Sequence, residues 1–353
     1  MTGHDSAFIR RWVIVGVTTV AIAAASLIGL STSHAQGGGT VQPAAGQAQG
    51  AAPAAPAGRQ QGAAPATQGR GQGQAPGQQD AGRAGARAGA RAGGFGVQGT
   101  PVLGPNGEVW GFTDTAFNPN TRWRIHDADR PQPPVVTPGE TVSIPAPSDA
   151  LVLFNGKDLS QWVTRGPGGA ESPATWTVGD GYFEAAGGTL STRESFGDVQ
   201  LHMELAIPAD VTGSSQNRGN GGVIFMGRYE LQVLDSHNNR TYADGMMASI
   251  YGEWPPLVNV ARKPGEWQSL DIVFEAPRFS GRLSPGYFTV FWNGVLVHNR
   301  AELVGATTPT MTPHTYTPHD PEQPLQLQGR ARIRYRNVWI RRLKPYDQGA
   351  KVN

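Results

Sequence analysis

The residues best suited to chemistry lie between Gly219 and Gly252, where the chain reads GNGGVIFMGRYELQVLDSHNNRTYADGMMASIYG. Within it, Arg228-Tyr229-Glu230-Leu231-Gln232-Val233-Leu234 alternates polar and apolar residues. Strand side chains alternate between faces, so Arg228, Glu230 and Gln232 share one face and Tyr229, Leu231 and Val233 the other. A guanidinium, a carboxylate and an amide in a row suit binding of, or proton transfer with, a sugar. Asp235 follows, at opposite parity but at the end of the run, where the strand constraint relaxes. It reads as an acid, a metal ligand or the cap of the turn at 236–239. Gly219, Gly221 and Gly222 precede the run and let backbone approach a ligand or another strand closely.

A second group lies in the loop-rich stretch from Tyr251 to Arg262. Tyr251 and Asn259 offer hydrogen bonds, Trp254 offers a ring that can stack on a sugar, and Arg262 can hold an oxyanion. The plain alternative is a proline-fixed surface loop in which Arg262 pairs with Glu266. Gln326 and Gln328, two apart in Leu325-Gln326-Leu327-Gln328, share a strand face and add hydrogen-bonding groups, or simply face solvent. The histidines His202, His237, His298, His314 and His319 are scattered, and no spacing among them makes a metal site by itself.

These residues need a scaffold, and the composition divides the 353-residue chain into parts. Arg10 and Arg11 precede an apolar run over 12–30 and the small-residue site Ser33-His34-Ala35, which reads as a signal peptide over 1–35 cleaved after Ala35. An uncleaved anchor is the alternative, since the run is near bilayer-spanning length. Arg10-Arg11 also faintly resembles a twin-arginine export signal. Residues 36–96 are nearly all Gly, Ala, Gln, Pro and Arg and cannot build a core, so they read as a disordered linker. Its arginines read as a solvated, mildly basic spacer. With a formal net charge of +2 the whole chain shows no pull toward nucleic acid. No cysteine is present, which excludes disulfides, thiol catalysis and zinc–thiolate sites.

Packing residues resume at Val97, and a proline-rich stretch over 130–139 follows, so 97–148 reads as an extended arm lying along the main domain. From 149 to 345 short alternating runs recur between turn residues: 151–154, 176–178, 182–185, 199–207, 267–274, 287–292, 295–298 and 333–343. Asn293-Gly294 between two of them is a hairpin signal. No amphipathic helix stands out. The pattern predicts an all-β sandwich of two antiparallel sheets whose site lies on a sheet face lined by alternate residues.

Several motifs in fixed order carry a family resemblance. They are Leu153-Phe154-Asn155-Gly156-Lys157-Asp158-Leu159 with Trp162; 219–236; Tyr242-Ala243-Asp244-Gly245; Ile250-Tyr251-Gly252 with Pro255-Pro256-Leu257-Val258-Asn259; Arg262 with Pro264-Gly265-Glu266-Trp267-Gln268; Phe274-Glu275-Ala276-Pro277-Arg278-Phe279; Asn293-Gly294-Val295; and Tyr335-Arg336-Asn337-Val338-Trp339-Ile340. Over about 150–343 the chain resembles the 3-keto-disaccharide hydrolase (3-keto-glycoside hydrolase/lyase) family, once known as domain of unknown function 1080. The resemblance implies a concanavalin-like jelly roll acting on a small 3-keto sugar in the periplasm or outside the cell, with no stable membrane insertion once the signal is removed.

A 3-keto group acidifies the hydrogen at C2. A base can remove it and the C1 substituent can leave by elimination, with water adding afterwards, or the bond can be hydrolysed. Glu230 is the expected base, with Asp235 and Arg262 as the other catalytic candidates. Arg228, Gln232, Tyr251, Trp254, Asn259 and Gln328 are the expected sugar contacts. A divalent metal is compatible with this chemistry, but the sequence fixes neither metal nor ligands. Two departures from the family pattern stand out: Asn299-Arg300 where relatives have Asn-His, and Leu327-Gln328-Gly329-Arg330 where they have Leu-Gln-Asp-His-Gly. A lectin-like module without turnover is therefore the rival reading, and a cell-envelope interaction protein the third.

Overall fold

The structure is a computed structural model that describes residues 99–140, 143–307 and 313–345. The signal peptide and linker expected over 1–96 lie outside the described residues. The lead segment holds a hairpin of β1 (Pro101–Leu103) and β2 (Val109–Phe112). The strands that follow are β3 (Leu151–Phe154), β4 (Trp162–Arg165), β5 (Glu171–Pro173), β6 (Thr177–Gly179), β7 (Tyr182–Glu184), β8 (Thr189–Phe196), β9 (Val199–Ala206), β10 (Gly221–Phe225), β11 (Tyr229–Val233), β12 (Gln268–Glu275), β13 (Tyr287–Trp292), β14 (Val295–Glu302), β15 (Gln323–Gly329) and β16 (Arg334–Arg342).

All ladders between these strands are antiparallel. A six-stranded sheet runs β11-β10-β15-β8-β4-β5, and an eight-stranded sheet runs β14-β13-β12-β9-β16-β7-β6 with β3 also on β16. Alternation assigns the faces. Leu231, Val223 and Leu327 lie side by side across β11, β10 and β15, and all three are fully buried. They meet Leu201, Met203, Leu270, Ile272 and Val290 of the other sheet in one core, where Phe225 packs on Phe274 with ring centroids 4.8 Å apart. The residues between them in sequence therefore occupy the opposite face of the six-stranded sheet. No helix among the described residues is long and apolar enough to cross a membrane.

The expected hairpin at Asn293-Gly294 forms, with φ of 52° and 75°, the left-handed pair such a two-residue turn needs. β14 runs four residues past the expected end, because it stays paired to β13 as far as Tyr287 opposite Glu302. β8 escapes the pattern altogether. Its sequence, Thr-Leu-Ser-Thr-Arg-Glu-Ser-Phe, is mostly polar, yet Ser191 and Thr192 are buried between neighbouring strands. The Thr192 hydroxyl donates to Glu194 O and accepts from Leu325 N, which satisfies it inside the sheet.

The lead segment touches the loop between β11 and β12 and the eight-stranded sheet. Asn259 N donates to Pro134 O, and Val136 N donates to Asn259 O. Further on, Ser143 and Ile144 cover the outer face of the eight-stranded sheet. Asn337 and the Trp339 indole both donate to Ile144 O, and Ser143 Oγ donates to Glu204. Glu204 is fully buried and also accepts from Arg336 Nε (2.6 Å) and Asn337 Nδ2 (2.9 Å), while His202 Nδ1 lies 2.7 Å from Asp271. Burial opposes the charge on Glu204, but these donors outweigh it and hold the carboxyl well below the usual range. Its stabilising contribution is therefore present at neutral pH and is lost on acidification below that range. Glu204→Ala, which strands Arg336, Asn337 and His202, should lower the unfolding free energy by about 3 kcal/mol at pH 7. Urea titrations at pH 7 and pH 3 should show the deficit shrink at the lower pH.

Candidate active site

Glu230 and Gln232 sit on the outward face of β11. Register places Gln232, Gly222 and Gln328 in one row across β11, β10 and β15, and Glu230, Ile224 and Gln326 in the next. Gly222 has a specific reason to be glycine. A Cβ there would stand 2.3 Å from Glu230 Oε1, so the missing side chain is the space in which the carboxyl lies. With its nitrogen toward Glu230, the Gln232 amide donates to Gly221 O (2.7 Å) and Glu230 Oε1 (3.2 Å). Arg330 donates to Gln328 Oε1 at 2.8 Å, and its charge acts on Glu230. Burial pushes the Glu230 carboxyl up to about 7, against the opposing pull of Arg330.

A wall of side chains from two other segments stands beside this carboxyl. Tyr251 N donates to Glu230 O, and Tyr251 Oη is 2.9 Å from Tyr242 Oη. Burial raises both phenols, and the Glu230 and Asp244 charges raise them further. His126, from the lead segment, lies against both rings, with centroids 4.0 Å from Tyr242 and 4.8 Å from Tyr251. Asp244, fully buried, takes His126 Nδ1 at 3.0 Å on one oxygen and His126 N at 2.9 Å on the other. Arg130 is 3.6 Å from the same carboxylate and also donates to Glu253 O. Burial pushes Asp244 up, but His126 and Arg130 outweigh it and keep the carboxyl below its ordinary value.

Of the residues singled out by sequence, Glu230, Gln232, Tyr251 and Gln328 share this neighbourhood. The others are placed elsewhere. Asp235 pairs with Arg218 Nε at 2.7 Å and accepts from His237 N, so it caps the turn after β11. Arg262 donates to Gly139 O, and its backbone N–H donates to Gln268. Asn259 donates to Ser236 O and accepts from Ala261 N. Arg262 and Asn259 line an open cavity of about 320 Å³ with Val135, Ser236 and Lys263, whose lining does not include Glu230, Gln232 or Gln328. Trp254 spends its indole N–H on Glu302 O and packs on the core. Arg228 precedes β11; its carbonyl accepts from Thr307, and its Nε is buried without a partner. Arg300 binds Glu275 through two nitrogens on the surface.

Sequence reasoning missed His126 and Asp244 as a pair. Asp244 stood inside a quoted motif, but the lead segment offers no periodicity that points to His126. Its one structural peculiarity, a left-handed φ of 58°, is invisible in sequence. Among the described residues no group of three or more His, Asp or Glu side chains is placed to hold a metal ion.

Residues 149–341 match the family described as a 3-keto-alpha-glucoside-1,2-lyase-like domain. The chain belongs to this family. A crystal structure from Parabacteroides distasonis ATCC 8503, described as a candidate glycosyl hydrolase, is 42% identical over 61% of this chain and 93% of its own, with a TM-score of 0.54. Two more from that organism, described in the same way, are 17% and 21% identical. They cover 56% and 55% of this chain and 94% and 99% of theirs, with TM-scores of 0.41 and 0.40. No curated protein matches the chain. The family match covers Glu230, Gln232, Asp244, Tyr251 and Gln328 but begins after His126 and Arg130.

The raised carboxyl has a consequence for stability. A folded-state value above the ordinary 4.5 means that protonated Glu230 is favoured by folding; that benefit is full below about 4.5 and gone above about 7. Glu230→Gln should therefore be about as stable as the wild type at pH 4.5 and more stable at pH 8, by at most about 3 kcal/mol. Thermal melts across that range should show the gap opening as pH rises.

Proposed function

We propose that this domain cleaves 3-keto glycosides, with Glu230 as the base that removes the C2 proton. The observation that carries this reading is the Glu230 carboxyl itself, enclosed on a sheet face, titrating near neutrality and flanked by amides and a guanidinium. A base tuned to about 7 combines a useful ionised fraction with real proton affinity. Its burial removes the water that would otherwise weaken each interaction.

The chemistry runs as follows. Glu230 takes the C2 proton, and the electron pair is delocalised onto the C3 oxygen as an enolate. Arg330 and the amide groups of Gln328 and Gln232 are the donors that would hold that charge. Collapse of the enolate restores the ketone, forms the C1–C2 double bond and expels the C1 substituent. Water then adds at C1. Membership of the 3-keto-alpha-glucoside-1,2-lyase-like family supports this substrate class, and the related candidate glycosyl hydrolase supports action on a carbohydrate. The two packed sheets are read as a concanavalin-like jelly roll, and the amino-terminal sequence as an export signal to the periplasm or beyond.

Turnover of a 3-keto disaccharide by the purified full-length protein is the direct test. Glu230→Gln should lower kcat/KM by about 10²–10⁴-fold. In the wild type the acid limb of kcat/KM should climb with pH through about 7, as the free carboxyl ionises. Saturable sugar binding with no turnover would replace the enzyme reading with that of a binding module. Gly222→Ala offers an independent check. Its φ is not left-handed, so the backbone accepts alanine, but the new methyl displaces the carboxylate. Turnover should fall by about 10²-fold while the melting temperature stays close to wild type.

A further inference from the structure

The lead segment supplies a histidine whose environment differs from that of every other buried histidine described. His298 Nε2 donates to Ala248 O, and burial drives it down to about 4, so it stays neutral. His314 gives Nδ1 to Glu253, while its Nε2 is sealed from solvent without a partner. His202 has Nδ1 on Asp271 and Nε2 3.2 Å from Asn337. Among these buried histidines His126 alone combines a carboxylate on one nitrogen with a second nitrogen that is neither paired nor sealed. Nδ1 is committed to Asp244; Nε2 makes no hydrogen bond among the described residues, yet is not among their sealed, unpaired atoms.

The surroundings hold that arrangement firmly. The left-handed backbone at His126 is uncommon for a residue of this size, and the bond from its N–H to Asp244 Oδ2 fixes it. Arg130 steadies the same carboxylate, and Tyr242 and Tyr251 flank the ring. Tyr251 is tied through its backbone to Glu230 O, so the histidine and the proposed base belong to one cluster.

We propose that His126 Nε2 donates the proton to the oxygen leaving C1, with Asp244 as the residue that positions it. This rests on the reading that the domain cleaves 3-keto glycosides. The balance closes. Glu230 gains the C2 proton, the C1–O bond breaks as the C1–C2 double bond forms, and the departing oxygen takes the Nε2 proton, leaving neutral imidazole. When water adds at C1, Nε2 recovers a proton from it and Glu230 returns one to C2. Both groups end as they began, and the sum is addition of one water across the glycosidic bond. Asp244, kept ionised by its neighbours, stabilises the imidazolium and orients Nε2.

A merely structural histidine would also fix the lead segment, so the test must read the leaving group. His126→Asn is the variant of choice. Asparagine tolerates the left-handed backbone and sets an amide where Nδ1 meets Asp244, but has nothing at Nε2. The full-length protein is assayed on a 3-keto disaccharide, whose alkoxide must be protonated, and on 4-nitrophenyl 3-keto-glucoside, whose phenolate leaves unaided. The variant should lose about 10²–10⁴-fold in kcat on the disaccharide and less than about 10-fold on the nitrophenyl substrate. Asp244→Asn should show the same asymmetry, less strongly. The ratio of the two rates on one preparation cancels any loss of folded protein, so partial misfolding does not obscure it. Equal losses on both substrates, or no loss on either, overturn the proposal. A wild-type protein that cleaves neither substrate overturns the 3-keto-glycoside reading itself, and this proposal with it.

Discussion

Placing a carboxyl on the enclosed face of a sheet is costly unless something compensates the lost water, and the structure is arranged around how Glu230 meets that constraint. β10 contributes a glycine so that the carboxyl can lie over it, and β15 contributes Gln328 in register beyond that glycine. Arg330 supplies a positive charge too weakly coupled to cancel the burial, so the carboxyl settles near neutrality rather than being locked as an ion. Asp235, five residues after Glu230, shows the contrasting solution. It is buried, paired with Arg218 and spent on a turn. Burial raises both carboxyls, and the difference between these two acids is that Asp235 is committed to Arg218 and to the turn.

The same logic recurs at the two other buried carboxylates that the lead segment helps to satisfy. Asp244 relies on His126 and Arg130, and Glu204 relies on Ser143 together with Arg336 and Asn337. A segment with little core of its own is therefore held less by apolar burial than by answering charges that the main domain leaves open. Its residues earn their place by chemistry at one end and by hydrogen bonding at the other.

The fold was largely legible in sequence because it rests on local alternation. Tyr229, Leu231 and Val233 face the core as their spacing implies, and the Asn293-Gly294 turn states its own conformation. The polar β8 was not legible, since its buried hydroxyls are satisfied by strands that only the folded sheet brings alongside. At the site, alternation correctly groups Glu230 with Gln232, and Gln326 with Gln328, but it is blind to what faces them. Arg262 and Asn259 look like sugar ligands by type, yet backbone carbonyls and the proline-rich stretch claim them. His126 lies more than a hundred residues from Asp244, a separation no periodicity can span.

The reach of the lead segment separates two boundaries that are easily taken for one. The family match begins at residue 149, whereas the first residue to answer Asp244, His126, lies earlier. A cut at the inherited boundary would take both His126 and Arg130 from Asp244, whereas Glu204 would lose Ser143 but keep Arg336 and Asn337. The stretch matched by the family is thus shorter than the stretch that satisfies Asp244.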